Sequence, residues 1–170
     1  ANCWAHKNHE RLLHAFEKFV DNNSLKLVLT GNMFGKEEQL MSCVSEEGVR
    51  KRVVVAGYVD EAEMCALLEN CRGLIFPSMF EGFGIPVVEA MQHYKPIACS
   101  NTTSLPEIGC SSIFYFNPMD ENGIEKGLEY IAKANVTGEM KKDYDNCLNK
   151  YNGQEMTENY IKLFQDLLRR

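Results

Sequence analysis

The chain has 170 residues and a formal net charge of −6 at pH 7, with 45% hydrophobic and 25% charged residues. This length and composition are typical of one globular domain and exclude a disordered or low-complexity chain. The acidic balance argues against binding to a nucleic-acid backbone. No apolar run approaches the ~18 residues that a membrane-spanning helix needs.

In chain order, the hydrophobic pattern predicts a helix over 9–22, a strand over 25–29, a helix over 36–47 and a strand over 53–56. Asp60 and Glu63 have the spacing of a capping box, which begins the next helix. A strand over 73–76 follows, and Pro86 marks the first turn of a helix that runs to about residue 94. The remaining predicted elements are strands over 96–99 and 113–116 and helices near 121–134, 138–150 and 154–169.

Strands that alternate with crossover helices predict an α/β fold, a Rossmann-like doubly wound parallel sheet in a single domain over 1–170. The chain opens with a loop that enters a helix, so we expect the first strand, and a further domain, to precede residue 1. In the usual strand order that strand is central, which predicts a gap between strands 25–29 and 73–76. We expect the last helix to pack an apolar face onto the domain, formed by Met156, Tyr160, Leu163 and Leu167, although in the intact protein part of this helix would return toward the further domain.

Seven scattered cysteines without a Cys-x-x-Cys pair favour reduced thiols in a cytoplasmic protein. Cys3, His6 and His9 have the spacing of half a zinc site, but a structural zinc site needs four ligands and no second close pair follows. We therefore expect no metal, and we expect the two histidines to face solvent or to cap a helix.

Residues 76–91 carry the strongest functional signal. A strand ends, a loop with Gly82 and Gly84 follows, and a helix begins, which suits the binding of a phosphate by backbone N–H groups. Ligands of open α/β sheets lie at the carboxyl ends of the strands. Glu81 and Glu89 would repel phosphate and suit the hydroxyl groups of ribose and a sugar. Alternatively, Glu81 is a solvated loop residue and Glu89 is a charge stabilised by the helix dipole.

This segment resembles the signature of the retaining glycosyltransferases of the GT-B fold, family four, also called glycosyl transferases group 1. The family motif has two glutamates separated by seven residues, and Glu81 and Glu89 fit it on either side of Gly82-Phe83-Gly84. Further family blocks match in the right order at 5–16, 27–31, 55–59 and 100–107. The resemblance therefore covers almost the whole chain.

The resemblance implies a C-terminal domain that binds a nucleoside-diphosphate sugar, with a transfer of the sugar to an acceptor hydroxyl with retention. Lys7 would neutralise the diphosphate in place of a metal, and Glu81 would contact the transferred sugar. Glu89 would accept hydrogen bonds from the ribose. The other donor-binding residues it implies are Gly31, Tyr58, Gly82, Phe83 and Gly84. At the places where the family carries an arginine before the lysine, this chain has Ala1 and Asn2, so either the site works with one cation or the register differs.

The implied partners are the N-terminal domain, the nucleotide-sugar donor and a saccharide or lipid-linked acceptor, with no cofactor and no nucleic acid. Such enzymes build lipopolysaccharide or capsule in the cytoplasm or at the inner face of the membrane, and the isolated domain is expected to be inactive. Two alternatives stay open: a nucleotide-sugar epimerase of the same GT-B architecture, and a non-catalytic nucleotide-sugar-binding module. A dinucleotide-binding Rossmann domain is disfavoured because no G-x-G-x-x-G motif follows a first strand.

Overall fold

The computed structural model describes residues 2–19, 25–151 and 153–169. The strands are β1 (Leu27–Thr30), β2 (Val53–Gly57), β3 (Leu74–Phe76), β4 (Ile97–Ser100) and β5 (Phe114–Phe116). The helices are α1 (His9–Lys18), α2 (Glu37–Ser42), α3 (Glu47–Arg50), α4 (Glu61–Asn70), α5 (Ile85–Gln92), α6 (Leu105–Ile108), α7 (Glu121–Lys133), α8 (Gly138–Leu148) and α9 (Gly153–Leu168). Single 3-10 turns lie at Ala5–Lys7 and Asn149–Tyr151.

All five predicted strands are confirmed, and every strand pair is parallel. The pairing forms two sheets rather than the single sheet that we expected: β1 pairs with β2, and β3, β4 and β5 pair in that order. Among the described residues no ladder joins β1 to β3, which is the position of the predicted gap. The carboxyl ends of both sheets nevertheless lie at one edge of the domain, because residues 2–8 before α1 bond to the loop after β1 and to the loop after β3.

Side-chain packing holds the two sheets together. Helix α1 packs against α7, and one apolar cluster contains Phe16 of α1, Leu27 and Leu29 of β1, and Phe116 of β5. A second cluster lies between α5, α8 and the sheet of three strands. The relative position of the sheets is thus set by buried apolar side chains.

The helix predicted over 36–47 divides into α2 and α3. The carboxylate of Glu17 on α1 accepts hydrogen bonds from the N–H groups of Ser45 and Glu46, each at 2.7 Å. Because these two N–H groups bond to Glu17, they do not donate to carbonyls within a continuous helix. The bonds also lower the pKa of Glu17, and the bond from Glu46 is the largest cause. The capping box of α4 is present as predicted, since Asp60 and Glu63 each accept the other's N–H. Residues 20–22 of the first predicted helix lie outside the described residues.

The expectation for the last helix is wrong. Every side chain described in α9 is exposed, including the apolar ones: Met156, Tyr160, Ile161, Leu163, Phe164, Leu167 and Leu168. The amphipathic pattern correctly predicted that a helix forms here, but it did not predict what the helix packs against. The apolar surface of α5 is covered by α8 instead. Of the helices described, none is both long and apolar enough to cross a bilayer.

Candidate functional site

The segment that leads into α1 crosses from the carboxyl end of one sheet to that of the other. Beyond β1, the carbonyl of Asn32 accepts the Cys3 N–H at 2.8 Å, and the Asn32 N–H donates to Asn2 Oδ1 at 3.0 Å. Beyond β3, the Met79 N–H donates to the carbonyl of His6 at 2.7 Å. The segment is therefore tied to both sheets at the edge where ligands of open α/β sheets bind.

Asn8 fixes the backbone where this segment enters α1. Its φ is 62°, in the left-handed region that asparagine tolerates better than most residues. Its buried amide donates to the carbonyl of Pro77 at 3.1 Å and to that of Pro118 at 2.8 Å. Asn8 thus joins the loops after β3 and β5, and it holds the preceding residue, Lys7, at their centre.

Lys7 and Glu81 meet at this point, as an ion pair between residues 74 positions apart. The distance from Lys7 Nζ to Glu81 Oε1 is 2.6 Å, and only 18% and 12% of the two side chains are exposed. The ammonium also lies 5.7 Å from the centre of the Phe76 ring, at the end of β3. The two residues predicted to act on the donor are therefore in direct contact in a site that water reaches only in part.

The loop between Glu81 and α5 carries unused backbone donors. In the described part of the chain, the N–H groups of Phe83 and Gly84 find no acceptor. Gly84 has a φ of 107° and directly precedes α5, and a Cβ on it would lie 2.6 Å from Leu105 Cδ2. Only glycine fits this position, because both the backbone conformation and the contact with α6 exclude a side chain.

Glu89 lies one turn into α5 and is half-buried. Its carboxylate makes no hydrogen bond or ion pair with any residue that the structure describes. A partly desolvated carboxylate without a protein partner has full capacity to accept hydrogen bonds from a ligand. No described hydrogen bond connects it to the Lys7–Glu81 pair.

Gly31, Gly57 and Tyr58 form a separate group at the carboxyl end of the sheet of two strands. The Gly31 N–H donates to the Gly57 carbonyl at 2.6 Å, and both glycines have positive φ values, of 108° and 69°. Tyr58 follows directly and is 82% exposed. The structure thus places the predicted donor-binding residues in two groups, one on each sheet, with the segment before α1 between them.

Sequence reasoning missed the residues that hold the loop of Glu81. The Thr103 hydroxyl accepts the Glu81 N–H at 3.1 Å, and the Ser104 hydroxyl donates to the carbonyls of Glu81 and Phe83 at 3.1 and 2.9 Å. Thr102 donates to carbonyls earlier in the same loop. The signal in the sequence is a run of hydroxyl side chains directly after the strand over 96–99.

His9 is buried rather than exposed to solvent, which corrects the expectation. Burial, with positive charge from Lys7 in addition, lowers the pKa of His9 to about 4, so the ring is neutral at pH 7. Its Nδ1 atom has no hydrogen-bond partner among the described residues. Within that same part of the chain, no group of three or more His, Cys, Asp or Glu side chains is arranged to hold a metal ion.

Comparison with known proteins decides the family. The family described as "Glycosyl transferases group 1" matches residues 2–149. The chain belongs to this family. The resemblance carried by the two-glutamate segment and its neighbouring blocks is therefore confirmed, while the roles of the individual residues remain predictions.

The curated relatives include two O-antigen enzymes. The O-antigen chain mannosyltransferase B of Escherichia coli is 33% identical over 121 residues, which are 69% of this chain and 32% of the relative. The O-antigen chain mannosyltransferase RfbU of Salmonella typhimurium is 28% identical over 132 residues, which are 76% of this chain and 36% of the relative. The chain thus spans about a third of the length of these two relatives.

Solved structures show the same fold. A glycosyltransferase from Rickettsia africae has a TM-score of 0.83 at 14% identity, with 100% of this chain and 47% of that chain covered. HepE of Anabaena, solved in complex with UDP, has a TM-score of 0.78 at 18% identity, with 98% and 47% covered. The predicted Rossmann-like α/β fold of a GT-B half is thereby confirmed.

Proposed function

We propose that this chain is the donor-binding domain of a retaining glycosyltransferase, which transfers a hexose from a nucleoside-diphosphate sugar to an acceptor hydroxyl. The observation that carries the proposal is the largely buried Lys7–Glu81 pair beside a glycine loop, at the carboxyl edge of a group 1 chain. The relatives and solved structures extend over about two to three times the length of this chain. A second domain, which would bind the acceptor, is part of the proposal.

The diphosphate binds at Lys7 in this proposal. Its ammonium exchanges the carboxylate of Glu81 for the phosphate oxygens, and its charge stabilises the negative charge that grows on the leaving group as the glycosidic bond breaks. The free N–H groups of Phe83 and Gly84, at the start of α5, contribute further donors to the same anion. Asn2 carries no charge and so does not supply the positive charge of the missing arginine; its Oδ1 atom accepts the Asn32 N–H, which leaves only its Nδ2 group to donate a hydrogen bond.

The transferred sugar lies against Glu81, and the ribose lies against Glu89. As the bond to the leaving group breaks, the anomeric carbon gains positive charge, which a nearby carboxylate favours. Glu89, half-buried and without a partner among the described residues, accepts hydrogen bonds from the ribose hydroxyls. Gly31 allows a close approach beside the diphosphate, and Tyr58 lines the nucleobase end, where the exposed phenol ring offers a face for stacking.

The relatives favour mannose as the sugar. Several curated relatives are mannosyltransferases, two of them named for O-antigen chains and one, from Mycolicibacterium hassiacum, an MMP alpha-(1->4)-mannosyltransferase. We accordingly place the enzyme in the synthesis of bacterial surface polysaccharide, with a saccharide or lipid-linked acceptor at the inner face of the membrane. No cofactor or metal is part of the proposed reaction.

Calorimetric titration with UDP, GDP and ADP, and with GDP-mannose and UDP-glucose, tests the donor site. Lys7→Ala should weaken the bare nucleoside diphosphate by about 1.5–3 kcal/mol, the range for hydrogen bonds to charged groups. Glu81→Gln should leave that affinity unchanged or slightly improved, because it frees the lysine, and should lower turnover of the sugar donor in the two-domain enzyme. Lys18→Ala is the matched control, since it removes a lysine from an ion pair of the same length, with Glu121, that is much more exposed.

Two outcomes would contradict this assignment. Loss of diphosphate binding in Glu81→Gln, or unchanged binding in Lys7→Ala, would show that these residues do not lie along the donor as proposed. Analysis of the products distinguishes the transferase from the epimerase: a transferase releases nucleoside diphosphate and a glycosylated acceptor, whereas an epimerase returns an isomerised sugar.

A further inference from the structure

We propose that Thr103 and Ser104 are positioning residues, which fix the main chain of Glu81 so that its carboxylate meets the transferred sugar. This inference rests on the proposed function for the role of Glu81. Neither residue is one of the two glutamates or the lysine of the family motif, and both lie on a different loop, after β4.

The two hydroxyls engage both polar groups of a single peptide residue. The Glu81 N–H donates to Thr103 Oγ1 at 3.1 Å, and the Glu81 carbonyl accepts from Ser104 Oγ at 3.1 Å. The same Ser104 hydroxyl reaches the Phe83 carbonyl at 2.9 Å. Because the backbone N–H and C=O of Glu81 are both held, the direction of its Cα–Cβ bond is set from outside its own loop.

The backbone of Thr103 is strained in order to present its hydroxyl. Its φ of 52° lies in the left-handed region, which is a rare conformation for a β-branched residue. Such strain persists only where the surrounding structure imposes it, and it concentrates at functional sites. The strained residue here is the one whose side chain accepts the Glu81 N–H.

The end of the same loop is held by packing. Helix α6 begins directly after Ser104, and Leu105 and Ile108 leave no room for a Cβ on Gly84. The loop of Glu81 is therefore held by hydrogen bonds from the residues before α6 and by apolar side chains of α6 itself. The ion pair with Lys7 then fixes the side chain, while the hydroxyls fix the main chain.

The expected consequence is selective for the sugar. A carboxylate that contacts only the sugar contributes to the affinity for the nucleotide-sugar and not to the affinity for the bare nucleoside diphosphate. Loosening the main chain of Glu81 should therefore weaken GDP-mannose or UDP-glucose and leave GDP and UDP nearly unchanged. A purely structural role would instead weaken both kinds of ligand together, through a smaller folded fraction.

The test compares Thr103→Val, which keeps the β-branched shape but cannot accept the bond, with Thr103→Ser, which keeps the hydroxyl. Ser104→Ala removes the second contact. Ser111→Ala is the matched control, because the Ser111 hydroxyl makes an exposed 2.9 Å bond to Asp143 away from the loop. Titrations with GDP, GDP-mannose, UDP and UDP-glucose, and amide hydrogen exchange at Glu81 by NMR, are measured on each variant.

Thr103→Val and Ser104→Ala should lower the affinity for the nucleotide-sugar about five- to tenfold and the affinity for the nucleoside diphosphate less than about twofold. Thr103→Ser and Ser111→Ala should resemble the wild type. The Glu81 amide should exchange several-fold faster in Thr103→Val than in Thr103→Ser. Equal losses for both ligand kinds, or an unchanged nucleotide-sugar affinity, would overturn the positioning role.

Amide exchange separates this proposal from the proposed function. If the wild-type chain binds none of the four nucleotides, the proposed function fails, and exchange at Glu81 still decides whether the two hydroxyls hold its main chain. An exchange rate that is the same in Thr103→Val and Thr103→Ser would refute the positioning role by itself.

Discussion

Lys7→Met should destabilise the fold because it leaves the Glu81 carboxylate without a partner in a mostly buried site. Two unit charges at the observed separation of 2.6 Å attract by roughly 6 kcal/mol at an effective dielectric constant of about 20. Desolvation of both charges offsets much of this attraction, and removal of one partner from a buried pair costs about 3–5 kcal/mol. Because 18% and 12% of the two side chains remain exposed, we expect Lys7→Met to lower the free energy of unfolding by about 2–3 kcal/mol, at or just below the lower end of that range.

Lys18→Met provides a comparison at the same distance. Lys18 Nζ lies 2.6 Å from Glu121, but the two side chains are 54% and 31% exposed. An exposed pair contributes at most about 1 kcal/mol. The double variant Lys7→Met/Glu81→Gln carries neither charge and should cost about 1 kcal/mol, less than Lys7→Met alone.

Urea unfolding at pH 7, followed by circular dichroism and extrapolated linearly to water, measures all of these free energies. Because the Lys7–Glu81 pair is more buried than the Lys18–Glu121 pair, Lys7→Met must lower the free energy of unfolding more than Lys18→Met does. Equal losses in the two variants, or a double variant less stable than Lys7→Met, would refute the reasoning.

Three further predictions concern the site and its support. Glu89→Ala should weaken binding of the nucleoside diphosphate by about 1.5–3 kcal/mol in calorimetric titration, and an unchanged affinity for UDP, GDP and ADP alike would remove Glu89 from the ribose. Gly84→Ala should lower the free energy of unfolding by about 2–4 kcal/mol, since its φ is 107° and a Cβ would lie 2.6 Å from Leu105, whereas Gly82→Ala meets open space and should cost little; similar losses in both would contradict the steric argument. The pKa of His9 falls from 6.5 to about 4 on folding, so below pH 6.5 the unfolded chain binds a proton that the folded chain does not, and stability should fall by up to about 3 kcal/mol between pH 6.5 and 4. Urea unfolding across this range should show a shallower loss in His9→Gln, and an identical slope would mean that His9 is not buried in its neutral form.

Local patterns in the sequence predict most of the secondary structure. The run Val53–Val55 reads as a buried strand because β-branched residues favour extended backbone, and β2 begins at Val53. Asp60 and Glu63 lie three residues apart, so their capping box involves only one turn of chain and is found as predicted. Such features depend on neighbours within a few residues, which the sequence displays directly.

The missed features depend on partners that are distant in sequence. Glu17 divides the helix predicted over 36–47 by bonding to Ser45 and Glu46, 28 and 29 residues away. The amphipathic pattern of α9 is real, but a pattern does not state which surface the helix meets, and its apolar face is exposed.

The sequence predicted which residues form the candidate site but not which of them contact each other. The family motif places Glu81 in a glycine loop and Glu89 in the helix that follows it, and the structure has that loop and that helix. That Lys7 lies against Glu81 required the fold, because the segment before α1 reaches the loop after β3 only through long-range bonds. The same holds for Thr103, whose hydroxyl meets the Glu81 N–H only because the fold brings the loops after β3 and β4 together.

The division of the strands into two sheets has a consequence for how the domain unfolds. A continuous hydrogen-bonded sheet transmits the loss of one strand to its neighbours, whereas β1–β2 and β3–β4–β5 share no ladder among the described residues. Their connection is the packing of α1 against α7 and the tether formed by the segment before α1. Because both sheets also contribute side chains to one apolar cluster, we expect packing, rather than a shared ladder, to couple their unfolding. Gly31 and Tyr58 lie beyond the strands of the first sheet and Glu81 lies beyond β3 of the second, so the same packing sets the distance between the two groups of predicted donor-binding residues.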